Sequence, residues 1–262
     1  MNMDKLTEDR ILIRNLNKKF VINRKSVPVL ENINLHVEKS QFISIIGSSG
    51  CGKSTLLRII AGLDNDYEGT VEMDGEKILK PSLKIGIVFQ EHRLFPWFTV
   101  SENISFGLRD KSYSEKKEIV KQHLELVGLS GFEDAYPSQL SGGMSQRVSI
   151  ARALANNPEI LLMDEPFGAL DALTRIQMQE QCLKIWETKK ITIIFVTHDI
   201  DEAVYLGDKV IVMSQRPGRI KKVIPIKVKR PRDRNSYDFL EIRKLIYEEF
   251  FSDQKEIVNY VI

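Results

Sequence analysis

The sequence predicts an α/β chain. Its parallel-sheet core is built around a phosphate-binding loop, with an antiparallel β subdomain beside it and an inserted α-helical subdomain. Three observations predict this. A glycine loop, residues 47–55 (GSSGCGKST), stands between a short apolar run rich in β-branched residues and a second, helix-like apolar run. Apolar runs closing on polar side chains recur at Gln90, at Asp164 and at Thr197, as strands of a buried parallel sheet do. Between about residues 91 and 157 the periodicity is helical, whereas the chain on both sides is mixed α/β.

In chain order, residues 11–20 and 29–37 alternate as strands, with Asn23, Arg24, Lys25 and Ser26 as the turn between them. Residues 69–75 join them in the antiparallel sheet. Phe20 ends the first strand, where its ring either stacks on an adenine face or is plain core. Residues 42–46 (FISII) are the buried strand that leads into the glycine loop. In that loop Gly47, Ser48, Ser49, Gly50, Cys51, Gly52, Lys53, Ser54 and Thr55 have the composition a triphosphate requires. The glycines turn backbone N–H groups inward on phosphate oxygens, and the helix N-terminus adds partial positive charge. Lys53 is expected to reach the β- and γ-phosphates, and the Ser54 hydroxyl to ligate Mg²⁺. The loop therefore points to a bound nucleoside triphosphate. Cys51 has two readings: a thiol acidified at a helix start, or a small residue that fits a tight turn.

Residues 84–90 form another apolar strand, ending at Gln90. Leu94, Phe95, Pro96, Trp97 and Phe98 follow in a segment whose proline rules out a regular helix. These large side chains are either core or an exposed anchor patch for a partner. Residues 101–108, 114–129 and 142–156 are expected helices. The second carries Ile119, Val120, Leu124 and Val127 on one face, and the third Met144, Val148, Ala151 and Ala155. After Pro158 come a strand at 160–164, a helix at 172–189 and a strand at 191–196. A short helix at 201–206, strands at 209–213 and 219–228, and an amphipathic helix at 236–251 complete the chain. The basic run 227–234 is either a solvated linker or a segment near anionic lipid.

Composition narrows the function classes. The 262 residues are 42% hydrophobic and 28% charged, as in soluble globular chains, and the net charge of +2 gives no argument for nucleic-acid binding. Residues 1–14 carry charges throughout and lack an apolar h-region, and no run approaches the length of a membrane span, so a cytosolic chain is expected. The two cysteines, Cys51 and Cys182, fit a reducing compartment.

The remaining polar strand ends complete a catalytic set. Asp164 and Glu165 close a strand of four apolar residues, and adjacent carboxylates there are costly to bury unless a metal or a proton transfer uses them. Asp164 is expected to hold Mg²⁺, directly or through water, and Glu165 to act as general base on the attacking water. His198 ends the next strand; it is either structural or a fourth polar group at the γ-phosphate. Ser141, Gly142 and Gly143 open a helix as a second anion cradle. One triphosphate does not need two cradles from one chain, so two chains facing each other would each lend one. Asp171, in GALD at 168–171, would sit at that seam.

GSSGCGKST, Gln90 before a helical insert, LSGGMSQR, ILLMDEP, GALD and VTHD occur here in one order. The sequence thereby resembles the nucleotide-binding subunit of ATP-binding cassette (ABC) transporters over about residues 10–225. The resemblance implies an ABC ATPase domain at 10–230, with the helical subdomain at about 91–157, and a short C-terminal helical tail at 231–262. It implies a head-to-tail homodimer with two sites for ATP and Mg²⁺. It makes Gln90 a sensor of metal and water, Ser141 and Gly143 contacts in trans to the γ-phosphate, Glu165 the base and His198 the switch. Met144 departs from the glutamine, and Phe20 from the tyrosine, commonest in the family. A narrower likeness runs through VFQEHRLFPWFTVSENISFGL, MDEPFGALDALTR, HDIDEAVYLGDKVIVMSQRPGRI and the PRDR tail, which look like the nitrate, sulfonate and taurine importers. That likeness implies a two-copy membrane permease docking at Leu94 to Phe98, an extracytoplasmic solute-binding protein, and a peripheral place on the cytoplasmic face of the membrane. The solute stays open among nitrate, sulfonates, taurine, bicarbonate and a pyrimidine vitamin precursor. A soluble cassette ATPase acting on ribosomes or DNA would usually carry two cassettes or a long coiled coil. A small-molecule kinase would leave LSGGMSQR without a role.

Overall fold

The computed structural model describes residues 9–168 and 170–258. Residues 1–8 of the charged leading segment, Ala169 of GALD and residues 259–262 of the tail lie outside the described residues. The chain divides into two compact units, Met1–Pro81 with Ile194–Ile262, and Ser82–Ile193.

In the first unit β1 (Asp9–Ile22), β2 (Lys25–Glu38), β4 (Glu68–Met73) and β5 (Glu76–Lys77) form an antiparallel sheet in the order β2-β1-β4-β5. The first two strands run further than their apolar alternation predicts, pairing up to Ile22 and Lys25. Asn23 and Arg24 both take positive φ, 50° and 62°. This closes the hairpin in two residues rather than the four expected, because left-handed residues match the twist of the strands. A second sheet in this unit runs β10-β9-β3-β8. Its members are β3 (Phe42–Ile46), β9 (Lys209–Met213), β10 (Ile220–Pro225) and β8 (Thr192–Thr197), which begins in the other unit. Every residue of β3 is buried, which is why it reads as an unbroken apolar run, and it pairs parallel with β9.

Helices α1 (Lys53–Ile60), α6 (Ile200–Leu206) and α7 (Tyr237–Val258) belong to the same unit. Ile46, Ala203, Val204, Val210, Val212, Ile224 and Ile226 make a core cluster that Phe239 and Ile246 of α7 complete. These two stand seven apart on one helical face. Each contributes about 1.5–3 kcal/mol relative to exposure, so α7 is anchored to the cluster. The run 227–234 is not a solvated linker throughout: Arg232 is only 6% exposed. The sequence misled here because a guanidinium on an irregular stretch normally seeks water, and the backbone carbonyls that replace water come from residues far away in the chain.

The second unit holds β6 (Ile85–Val88) and β7 (Ile160–Asp164), paired in parallel with Val88 opposite Met163. It also holds helices α2 (Val100–Ser105), α3 (Tyr113–Leu126), α4 (Gly142–Leu154) and α5 (Ala172–Lys189). Thr99 with Glu102, and Ser112 with Glu115, form capping boxes that fix where α2 and α3 begin. On α3 the buried residues are Val120, His123 and Leu124. His123 donates from Nδ1 to the Ile119 carbonyl at 2.7 Å, and burial pushes its pKa down. Not all of 91–157 is helical. Pro96 keeps 91–99 irregular, and Gly128 and Gly131 at positive φ, with a 3-10 turn at Pro137–Gln139, interrupt 127–141. Among the described residues no helix is long and apolar enough to cross a membrane.

Candidate nucleotide site

The first unit supplies the glycine loop, between the end of β3 and the start of α1. Gly50 and Gly52 have φ of 76° and 110°, conformations that side chains strain to reach. A Cβ on Gly52 would also stand 2.6 Å from Leu30 Cδ2, and one on Gly47 2.6 Å from Cys51 Sγ. Cys51 is buried inside the loop, and its N–H donates to the Ser48 carbonyl at 3.2 Å. Lys53 is 5% exposed, its ammonium donating to the carbonyls of Gly47 at 2.8 Å and Ser48 at 3.2 Å. Ser54 is exposed in the first turn of α1, and Thr55 is half-buried. The N-cap of α1 is Gly52, which has no side chain to cap the helix, and a helix start of this kind suits an anion. Space above Gly50 is open, since a Cβ there would meet nothing within 4 Å. An ammonium held inside the loop, an uncapped helix start and an open mouth fit a phosphate chain.

Phe20 pairs across the hairpin with Val27 and is 38% exposed, with the Lys18 ammonium 4.8 Å from its ring centre. His198 is exposed immediately after β8, which lies beside β3. A buried network flanks it. The Thr197 hydroxyl donates to the Glu202 carboxylate at 2.6 Å, the Asp199 N–H donates to Thr197 Oγ1 at 3.0 Å, and the Glu202 N–H donates to Asp199 Oδ1 at 3.1 Å.

The second unit holds the other candidates. Gln90 is exposed two residues past β6, and Asp164 and Glu165, both half-buried, close β7. Because β6 and β7 are parallel and in register, all three leave the same sheet edge. Glu165 sits at φ 44°, a left-handed conformation that costs a non-glycine residue about 1–2 kcal/mol. Such outliers persist where surrounding structure enforces them and cluster at functional sites. Here the Gly168 N–H donates to the Glu165 carbonyl at 3.2 Å and closes the turn.

Ser141 is the exposed N-cap of α4, its hydroxyl accepting from the Met144 N–H at 3.3 Å. Gly142 faces open space, whereas a Cβ on Gly143 would stand 2.6 Å from Thr174 Cγ2. Gly143 is thus also required for the close packing of α4 on α5. Asp171 caps α5, accepting from the N–H groups of Leu173 and Thr174 at 3.1 and 3.0 Å. Hydrogen bonds from Thr174 hold its carboxyl below the usual carboxylate range.

The aromatic segment in this unit combines exposed side chains with a hydrogen-bonded backbone on either side of them. Trp97 is 67% exposed and Pro96 is exposed, while Leu94, Phe95 and Phe98 are half-buried. Phe95 packs on Trp97, Phe98 and Phe106 with ring centres 5.7, 5.5 and 4.6 Å apart. Fully buried Asn103 holds the backbone beneath. Its Oδ1 accepts from the Phe95 N–H at 2.8 Å, and its Nδ2 donates to the carbonyls of Phe95, Phe98 and Thr99 at 3.1, 3.1 and 2.9 Å. Arg152 of α4 donates to the carbonyls of His92 and Arg93 at 3.0 and 2.8 Å, and the His92 ring meets Gln146 Oε1 at 2.5 Å. Sequence reasoning passed over Asn103. The available signal was its place on the apolar face of α2 with Val100 and Ile104, three and four residues being one face. Asn103→Ala should lower stability by about 1–3 kcal/mol, the cost of leaving buried backbone groups without partners. A drop in the urea midpoint would register it, and an unchanged midpoint would show that water replaces the amide.

A family model described as "ABC transporter" matches residues 30–168. The aliphatic sulfonates import ATP-binding protein SsuB of Bacillus cereus is 57% identical over 92% of this chain and 95% of its own. The nitrate import ATP-binding protein NrtD of Synechocystis is 49% identical over 82% and 81%. Among solved structures, the dimeric post-hydrolysis state of the ATP-binding cassette MJ0796 bound to ADP and Pi superimposes with a TM-score of 0.75. It is 35% identical and covers 84% of this chain and 100% of its own. A glycine loop shaped for phosphate, a core of the cassette type and identities of this size over nearly the whole length lead to one conclusion: the chain belongs to the ABC transporter family, as one of its ATP-binding subunits.

Proposed function

We propose that this ATPase subunit drives uptake of a small anionic solute of the aliphatic-sulfonate or nitrate type through a membrane permease. The observation that carries the importer reading is the aromatic segment 94–98, whose exposed Trp97 and Pro96 stand on a backbone fixed by Asn103. An apolar anchor preformed at a surface is what a partner's helix needs in order to dock. In this reading the subunit is peripheral to the cytoplasmic face of the membrane. Two copies work together, with a solute-binding protein outside.

In the catalytic cycle the Lys53 ammonium exchanges the carbonyls of Gly47 and Ser48 for phosphate oxygens, and the uncapped start of α1 donates its N–H groups. Phe20 stacks on the adenine. Ser54, Gln90 and Asp164 would hold Mg²⁺, which supplies charge neutralisation to the phosphates when bound. Among the described residues no cluster of three His, Cys, Asp or Glu side chains could hold a metal. The donor set instead suits a hard cation that takes its remaining oxygens from nucleotide and water. Glu165 accepts a proton from the attacking water as its oxygen bonds to the γ-phosphorus, and the bond to the β-phosphate oxygen breaks to give ADP and phosphate. His198 steadies the γ-phosphate, while Ser141 and Gly143 of the second copy close on it from the other side, with Asp171 at the seam.

Replacing Trp97 and Phe98 together by alanine should cut co-purification with the co-expressed permease and solute-stimulated uptake, while ATP affinity of the isolated chain stays unchanged. Removing two central aromatic anchors corresponds to about 2 kcal/mol or more each. Full co-purification by the double variant would remove the segment from the docking surface.

A further inference from the structure

Residues 230–234, Arg-Pro-Arg-Asp-Arg, have no part in the cycle above. Their arginines nonetheless converge on one short helix. Arg232 donates from Nη1 to the carbonyls of Val204, Tyr205 and Gly207 at 2.6, 3.0 and 2.8 Å, and from Nε to its own segment at Val228, 3.0 Å. The first three are carbonyls that the end of α6 leaves without helical partners, and the cation lies at the negative end of the helix dipole. Arg230 donates to Asp208 at 2.5 Å and to the Leu206 carbonyl, and the Arg234 guanidinium lies 4.1 Å from the centre of the Tyr205 ring. Arg243 of α7 pairs with Asp201 in the first turn of α6 at 2.9 Å. Burial above all, and the neighbouring Arg230, bring the pKa of Arg232 down to about 10, which leaves it charged at neutral pH.

The helix so held is seven residues long and begins two residues after His198, with Asp199 as its N-cap and the Thr197–Glu202 bond locking that end. Its far end is wedged against β3: a Cβ on Gly207 would stand 2.7 Å from Ser44 Oγ. Since β3 is the strand that delivers the glycine loop, α6 is a short strut between the loop's own strand and the histidine. We infer that Arg232 is a positioning residue for His198, fixing it relative to the glycine loop by clamping the C-terminal end of α6. The PRDR tail is thus part of the catalytic apparatus. A helix of two turns moves as one body, so freeing its last turn shifts its first turn, and His198 with it. Misplacements of about 1 Å cost up to about 10²-fold in rate.

The inference rests on His198 acting at the γ-phosphate, so the test includes that residue. ATP hydrolysis is measured on the full-length chain for Arg232→Gln, Arg232→Lys, His198→Ala and the double variant His198→Ala/Arg232→Gln, with ATP affinity measured in parallel. Arg232→Gln should lower kcat by about 10- to 100-fold with ATP affinity unchanged, and Arg232→Lys, which keeps the charge but loses the fork, by less. The double variant should be no slower than His198→Ala alone, because a positioning residue has nothing left to position. Arg232→Lys combined with His198→Ala carries the same comparison if the glutamine variant does not fold. Losses that multiply, or an unchanged kcat in Arg232→Gln, would overturn the inference and leave the role of His198 standing. A wild-type rate in His198→Ala would instead overturn that role and the inference with it.

Discussion

Glu165→Gln is expected to hydrolyse ATP about 10²–10⁴-fold more slowly, the usual contribution of a general base, while binding ATP normally. The substitution keeps the size of the side chain and removes only its capacity to accept a proton. Lys53, Ser54 and the start of α1, which hold the phosphates in the proposed cycle, keep their own side chains and backbone donors. The left-handed backbone at Glu165 tolerates glutamine as well as it tolerates glutamate, because the strain is in the main chain. A stalled cycle should therefore accumulate, with ATP bound between two chains. Phosphate release, ATP affinity and size-exclusion elution in ATP would be measured together. Near-normal release would show that another group activates the water.

Ser141→Arg is expected to abolish hydrolysis while a single chain still binds ATP. Ser141 is exposed at the start of α4, and its neighbour Gly142 faces open space. A long cationic side chain there occupies the room that the proposed second copy needs for its phosphate. Loss of the hydroxyl acceptor for the Met144 N–H weakens the first turn of α4 as well. The decisive measurement is a mixture. Chains carrying Ser141→Arg, mixed with chains carrying Glu165→Gln, form one composite site with both native residues, so hydrolysis should partly return. Activity in Ser141→Arg alone, or no recovery on mixing, counts against a site shared between copies.

The parts of the fold and of the candidate site legible in the sequence are those whose physics is local. The helix at 172–189 and the strand at 209–213 were expected at the bounds α5 and β9 have. The glycines at 50 and 52 are legible because a tight loop between a strand and a helix favours left-handed backbone, and both have it. What escaped depends on partners distant in sequence. The strands of the first hairpin gain residues from each other across a two-residue turn that Arg24 does not advertise. Asn103 looks like an unfavourable polar residue in a short amphipathic helix until the loop carbonyls it serves are folded over it. Arg232 looks like a surface charge until the end of α6, 25 to 28 residues earlier, supplies its oxygens. The strain at Glu165 could not be read either, since glutamate carries no preference for positive φ.

The fixed backbone beneath the aromatic segment bears on kinetics. Four hydrogen bonds to one buried amide set the shape of 95–99 before any partner arrives. In the proposed complex, docking then requires no ordering step on this side, and encounter proceeds at the rate that collision and orientation allow. Substitutions at Trp97 would shorten the residence time of the complex without slowing its formation. Loosening Asn103 would slow formation itself, because the loop would have to be ordered at every encounter.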